Sequence, residues 1–154
     1  MTKKRDLRIE LIRSKMADIE ESVSLVEANL PPSFEEFSEL GLVKDGIYKR
    51  MEFSIESIID ILSIINSDLR LSIPEDEEDV VENLGRNGIL TQSMVDKVRR
   101  MKGFRNIIVH RYGRIDDLLA YKILTENLQD FGEFIESIDQ FLEENSAKTK
   151  KLDS

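Results

Sequence analysis

Apolar residues recur along this chain at alternating steps of three and four. Ile9, Ile12, Met16, Ile19, Val23, Val26 and Leu30 form the first series. An α-helix turns by about 100° per residue, so this spacing gathers them on one stripe of a long amphipathic helix. Pro31 and Pro32 end it, and Ser33 followed by Glu36 has the capping-box spacing that starts a short helical turn running to Gly41. Tyr48, Met51, Ile55, Ile58, Leu62, Ile65 and Leu69 repeat the alternation. Ile47, Ile59 and Ile61 widen that face, which predicts a central helix buried on more than one side.

Residues 67–91 interrupt the pattern. Pro74, Gly85 and Gly88 bound an acidic piece in which Val80, Val81 and Leu84 allow a short helix, but an ordinary connecting loop is the favoured reading. Thr91 is the expected N-cap of a third core helix carrying Met94, Val98, Met101 and Ile108, with Gly103 as a candidate kink. After Tyr112 and Gly113, Asp116 caps a last helix whose stripe is Tyr121, Leu124, Leu128, Phe131, Ile135, Ile138 and Leu142. Four such helices, with no convincing period-two alternation, specify an all-α bundle. One domain over residues 1–145 is expected, with 146–154 as a flexible tail.

Composition narrows the setting. The chain has no cysteine, and the segment MTKKRDLRIE lacks the apolar core of a signal peptide. Apolar runs are broken by charges well short of the roughly 20 residues that spanning a bilayer requires. A cytoplasmic protein without membrane association is the expectation. The formal net charge of −9 disfavours indiscriminate binding to polyanions. Locally the sign reverses: Lys97, Arg99, Arg100, Lys102, Arg105, Arg111 and Arg114 fall in a stretch with no acidic residue. Removing those seven charges leaves −16 on the rest of the chain. Two readings follow: the island pairs with the acidic run Glu75, Asp76, Glu77, Glu78, Asp79 and Glu82, or it forms a confined site for an anionic phosphate.

Chemistry concentrates in MKGFRNIIVHRYGRID, residues 101–116, which holds the only histidine, His110. The stripe of the third helix runs 94, 98, 101, 105, 108, and its fourth member is Arg105 where an apolar residue is due. A guanidinium on a core-facing line requires a carboxylate, a subunit interface or an anionic ligand. Glu56 and Asp60, one turn apart on the central helix, either pair with Arg105 or face water. On a straight helix Asn106 and His110 share a face, whereas Arg105 and His110 diverge by about 140°. Cooperation between Arg105 and His110 therefore needs a bend at the helix end or a two-fold dimer. The plain structural readings are a histidine favoured by the helix dipole and Tyr112 as an amphipathic helix-end residue. No His/Cys cluster is present, and neither a metal nor a cofactor is expected.

Arg105, four residues, His110, one residue, Tyr112, read as RNIIVHRY, resembles the R-x4-H-x-Y signature of the HepT-like toxins of the HEPN superfamily. The connector LPPSFEEFSELG, the central helix, the short acidic segment, GFRN and YGRID are also similar to that family in chain order across most of residues 5–142. The resemblance implies an antiparallel HEPN-like bundle of four to five helices that dimerises, or forms a higher assembly of dimers, around a cleft acting as a metal-independent endoribonuclease. Arg105 would orient and stabilise the scissile phosphate, and His110 would act as general acid or base in attack by the RNA 2′-hydroxyl. Asn106 would support the site, with Lys102, Arg111 and Arg114 as the RNA- and phosphate-binding surround. It further implies a type VII-like toxin–antitoxin pair. The partner is an MntA-like nucleotidyltransferase antitoxin that neutralises the toxin by transferring AMP to the motif tyrosine, here Tyr112.

Two other readings use the same residues. One is a non-catalytic nucleotide- or partner-binding subunit of a nucleotidyltransferase complex. The other is a structural dimeric bundle in which Arg105 and His110 serve interface hydrogen bonds alone.

Overall fold

The first apolar series folds as α1 (Ile9–Asn29) in the computed structural model, which describes residues 6–109 and 114–152. Ile12, Met16, Ile19 and Val26 are buried, and Ser22 takes a place on the stripe beside them. The Ser22 hydroxyl accepts a hydrogen bond from Arg50 at 3.4 Å, so its burial leaves no oxygen stranded. A short α2 (Phe34–Ser38) follows the two prolines, capped by the Ser33 hydroxyl, which accepts from the Glu36 N–H. The helix stops before Gly41, which turns the chain at φ +60°, a conformation glycine adopts without penalty.

α3 (Leu42–Asp68) is the central helix the pattern predicts. Met51, Ile55, Ile58, Ile61, Leu62 and Ile65 are wholly buried. Each such side chain contributes roughly 1.5–3 kcal/mol of gross transfer free energy. α1 packs along α3, and Phe37 of α2 sets its ring against Tyr48.

The acidic connector is helical, contrary to the loop favoured from the sequence. α4 (Glu77–Arg86) starts at Asp76, whose carboxylate accepts from the Asp79 N–H at 2.9 Å. Its first turn holds Glu77, Glu78 and Asp79, which suit the positive end of the helix dipole. Val80, Val81 and Leu84 are buried between α3 and α5 (Gln92–Ile108). The Asn83 amide donates to Asn66 and to the Ser72 carbonyl, which stitches α4 to the end of α3. A ten-residue segment between Pro74 and Gly88, with Gly85 inside it, is marginal as a helix until packing secures it, so the local pattern pointed to a loop.

α5 begins at its Thr91 cap and runs through Gly103 as one uninterrupted helix. The last apolar series divides into α6 (Asp117–Asn127) and α7 (Gln129–Leu152) instead of forming one helix. The interruption is local. Leu128 keeps a right-handed helical conformation while its carbonyl accepts from Phe131, three residues on, at 3.2 Å. The apolar stripe crosses this point, so periodicity alone joins the two. α7 carries helical backbone through Leu152, into the stretch where a flexible tail was expected. The result is an all-α bundle, with seven helices and no strand among the described residues.

Candidate active site on α5

The site is built on the last turns of α5. Met94, Val95, Val98, Met101, Phe104 and Ile108 are buried, which fixes the rotation of the helix. Arg105 falls on that line with its side chain only 19% exposed. Of the three partners the sequence allows, the structure supplies a carboxylate: Glu77, the first residue of α4. Arg105 Nη1 donates to Glu77 Oε1 at 3.2 Å and Nη2 to Oε2 at 2.7 Å, a two-point fork that fixes orientation as well as charge.

Sequence reasoning did not single out Glu77. The signal available was its place directly after an N-capping aspartate, but which cation it meets across α5 depends on tertiary packing. Glu56 makes no direct contact with Arg105; it and Glu52 add negative field from α3, while Asp60 pairs with Lys15 at 3.3 Å. The hydrogen bond to Glu77 raises the Arg105 pKa above its already high ordinary value. The same bond is the main cause holding the Glu77 carboxyl below its ordinary 4.5, helped by Lys102 and opposed by burial.

Much of the basic island is compensated in the same way. Arg99 pairs with Glu78 at 2.6 Å, Lys102 with Glu78 at 3.5 Å and Glu77 at 4.0 Å, Arg100 with Asp130 at 3.6 Å, and Lys97 with Glu133. The pairing between island and acidic run therefore holds for Arg99, Lys102 and Arg105, all facing the start of α4. Asn106 and Arg114 are exposed. Elsewhere along α5, Met101, Gly103, Phe104 and Ile107 join Met51 and Phe131 around a mainly apolar cleft of about 280 Å³, where the one cation, Arg100, is paired with Asp130. That cleft offers little to a phosphate, so the charged side of α5 is the anion-binding candidate.

The geometric problem posed by Arg105 and His110 takes a different form here. α5 ends at Ile108, and Val109 leaves the helix at φ −106°, ψ 64° while its N–H still donates to the Arg105 carbonyl at 3.0 Å. A helical step can no longer be extrapolated to residue 110, for divergence from Arg105 or for a shared face with Asn106. The candidate catalytic His110, the phosphate-binding Arg111 and the acceptor Tyr112 lie outside the described residues. Downstream, Asp116 caps α6 through the Leu119 N–H. Asp117 accepts from the Tyr48 hydroxyl at 2.5 Å and Lys44 at 2.9 Å, tying the start of α6 to α3. Burial, then the bond to Asp117, pushes the Tyr48 pKa up, which leaves that phenol neutral and committed to the carboxylate. Among the described residues no three His, Cys, Asp or Glu side chains come together in a way that could hold a metal ion, and no helix is long and apolar enough to cross a membrane.

The family model described as ribonuclease HepT-like matches residues 19–138, from within α1 to within α7. This chain belongs to the ribonuclease HepT-like family. It is similar to the mRNA nuclease HepT of Shewanella oneidensis, 27% identical over 129 residues that cover 84% of this chain and 96% of that one. A solved structure of a tri-AMPylated Shewanella oneidensis HEPN toxin in complex with MNT antitoxin superposes with a TM-score of 0.75 at 27% identity, covering 84% of this chain and 96% of that chain. The cytosolic protein YutE from Bacillus subtilis shares the fold at a TM-score of 0.76 and 15% identity, covering 90% and 93% of the two chains. The HepT-like match thus encloses both Arg105 and Glu77, the two partners of the fork.

The depressed Glu77 pKa has a testable sign. A carboxyl whose folded pKa lies below its unfolded one stabilises the fold above the unfolded value, near 4.5, and loses that contribution as pH falls through the folded value. Glu77 is 44% exposed, so solvent screening keeps the contribution below about 1 kcal/mol. Urea midpoints of wild type and Glu77→Gln should differ slightly near neutral pH and converge in strong acid. A gap that persists in acid would assign the difference to packing.

Proposed function

We propose that this HepT-like protein is the toxin ribonuclease of a type VII-like toxin–antitoxin pair and cleaves RNA without metal at a dimer cleft. The observation that carries the reading is Arg105: a fully charged, sheltered arginine on the motif helix, one turn before the chain leaves that helix toward His110. The HepT relative is named an mRNA nuclease, which supports RNA as substrate. Arg105 orients the scissile phosphate and stabilises the charge that builds on it. The 2′-oxygen attacks phosphorus as the bond from phosphorus to the 5′-oxygen breaks. A proton leaves the 2′-hydroxyl and one arrives on the departing oxygen; His110 carries one of these transfers and solvent the other. Asn106 supports the site, and Lys102, Arg111 and Arg114 contact neighbouring phosphates. The dimer brings two such motifs to one cleft.

The partner is an MntA-like nucleotidyltransferase antitoxin, a reading supported by the complex of the tri-AMPylated HEPN toxin with its MNT antitoxin. It transfers AMP from a nucleoside triphosphate to the Tyr112 oxygen with release of pyrophosphate. The added charge and bulk neutralise the neighbouring cations and block the cleft.

The test is cleavage of end-labelled single-stranded RNA in the presence of a chelator, with analysis of the new ends. The expected products carry cyclic phosphate, and a strand with one deoxyribose resists cleavage at that residue because it lacks the nucleophile. No product from a confirmed dimer would transfer the reading to a nucleotide- or partner-binding subunit.

A further inference from the structure

We infer that Glu77 is a positioning residue for Arg105: it occupies the guanidinium's end-on fork and fixes its plane, so that the Nε edge meets the scissile phosphate. This rests on the ribonuclease reading above and adds to it a residue from outside the motif. Arginine has five N–H groups in a rigid fork. Glu77 takes one from each terminal nitrogen. The edge formed by Nε and one terminal nitrogen is then the remaining pair that can engage two phosphate oxygens side by side.

The carboxylate is well placed to impose that orientation. It stands on the first turn of α4, behind the Asp76 cap, and α4 is anchored by Val80, Val81, Leu84 and the Asn83 amide. Arg105, in contrast, has a long side chain one turn from a helix end, where rotamer freedom alone opposes the placement catalysis needs. Glu78 draws Arg99 and takes the shorter contact with Lys102, leaving Glu77 to hold Arg105 by its strongest contacts.

The same carboxylate cancels charge that RNA would otherwise meet, and Glu52 and Glu56 extend the negative field. Positioning and attraction are thereby opposed. Removing Glu77 should strengthen RNA binding while slowing the chemistry, which neither a surface ion pair nor an autoinhibitory clamp would do.

The experiment compares wild type, Glu77→Ala, Glu77→Gln and His110→Ala in steady-state cleavage, with the Arg105 Nε–H resonance followed by NMR. Glu77→Ala is expected to lower kcat by about 10- to 100-fold, the range associated with lost orientation, and to lower KM as well. Glu77→Gln, which keeps one acceptor, should lower KM similarly and retain more of kcat. The Arg105 Nε–H signal should be resolved in wild type and averaged by solvent exchange in Glu77→Ala. A kcat equal to or above wild type in Glu77→Ala overturns the inference, as does an Nε–H signal unchanged by both substitutions. If wild type cleaves no more than His110→Ala, the ribonuclease reading fails and the catalytic role of Glu77 with it; the resonance still reports separately whether Glu77 holds Arg105.

Discussion

Replacing Arg105 with alanine is expected to lower kcat for RNA cleavage by on the order of 10²- to 10³-fold, the cost typical of deleting one preorganised donor to a charged transition state. The fold should be almost untouched. Glu77 loses its partner but is half-open to solvent and rehydrates, so the deletion leaves no buried orphan charge. Lost packing of the arginine stem and the screened ion pair together amount to about 1 kcal/mol. For a domain of this size that moves Tm by only about 2–4 °C. His110→Ala should match the loss of rate, and Arg105→Ala/His110→Ala should be little worse than either single variant, because residues acting on one phosphate are not additive. An Arg105→Ala enzyme that keeps wild-type kcat would remove Arg105 from the chemistry, and one that unfolds would overturn the small stability cost.

How far this site could be read from the sequence depends on which contacts are local. The stripes of α1, α3 and α5 are properties of neighbouring residues, and the burial of Ile12, Ile58 and Val98 follows from spacing alone. Arg105 was conspicuous for the same reason, as the exception within a periodic line. Its partner was not legible. Glu77 lies 28 residues away on an element whose helicity is secured by tertiary packing, and the acidic run offers six carboxylates with no local rule to rank them. Asp60 shows the converse: on its own helix it shares a spacing with Glu56, yet it is taken by Lys15 from α1. The end of α5 was also obscured, since the apolar run Ile107, Ile108, Val109 continues past the residue where helical geometry stops.

The second large effect is on stability, at Leu84→Ala. Leu84 is wholly buried on α4, and its carbonyl accepts from both Ile89 and Leu90, at 3.0 and 3.3 Å, as the chain turns toward α5. Truncation to alanine removes three carbons from a packed interior and leaves a cavity, which costs about 2–5 kcal/mol. That is a large fraction of the roughly 5–15 kcal/mol by which a domain is stable. Tm should fall by on the order of 10 °C. The loss should also be uneven, because ten residues form a stable helix only when packed. Amides of α4 should exchange with solvent faster relative to those of α3 than in wild type, and the Arg105 fork should open with them. A midpoint within about 2 °C of wild type, with α4 amides as protected as before, would show that α4 holds Glu77 in place by some means other than its buried face. If α4 does loosen, a substitution far from the phosphate should reproduce at Arg105 the slower turnover and tighter RNA binding expected when Glu77 itself is removed.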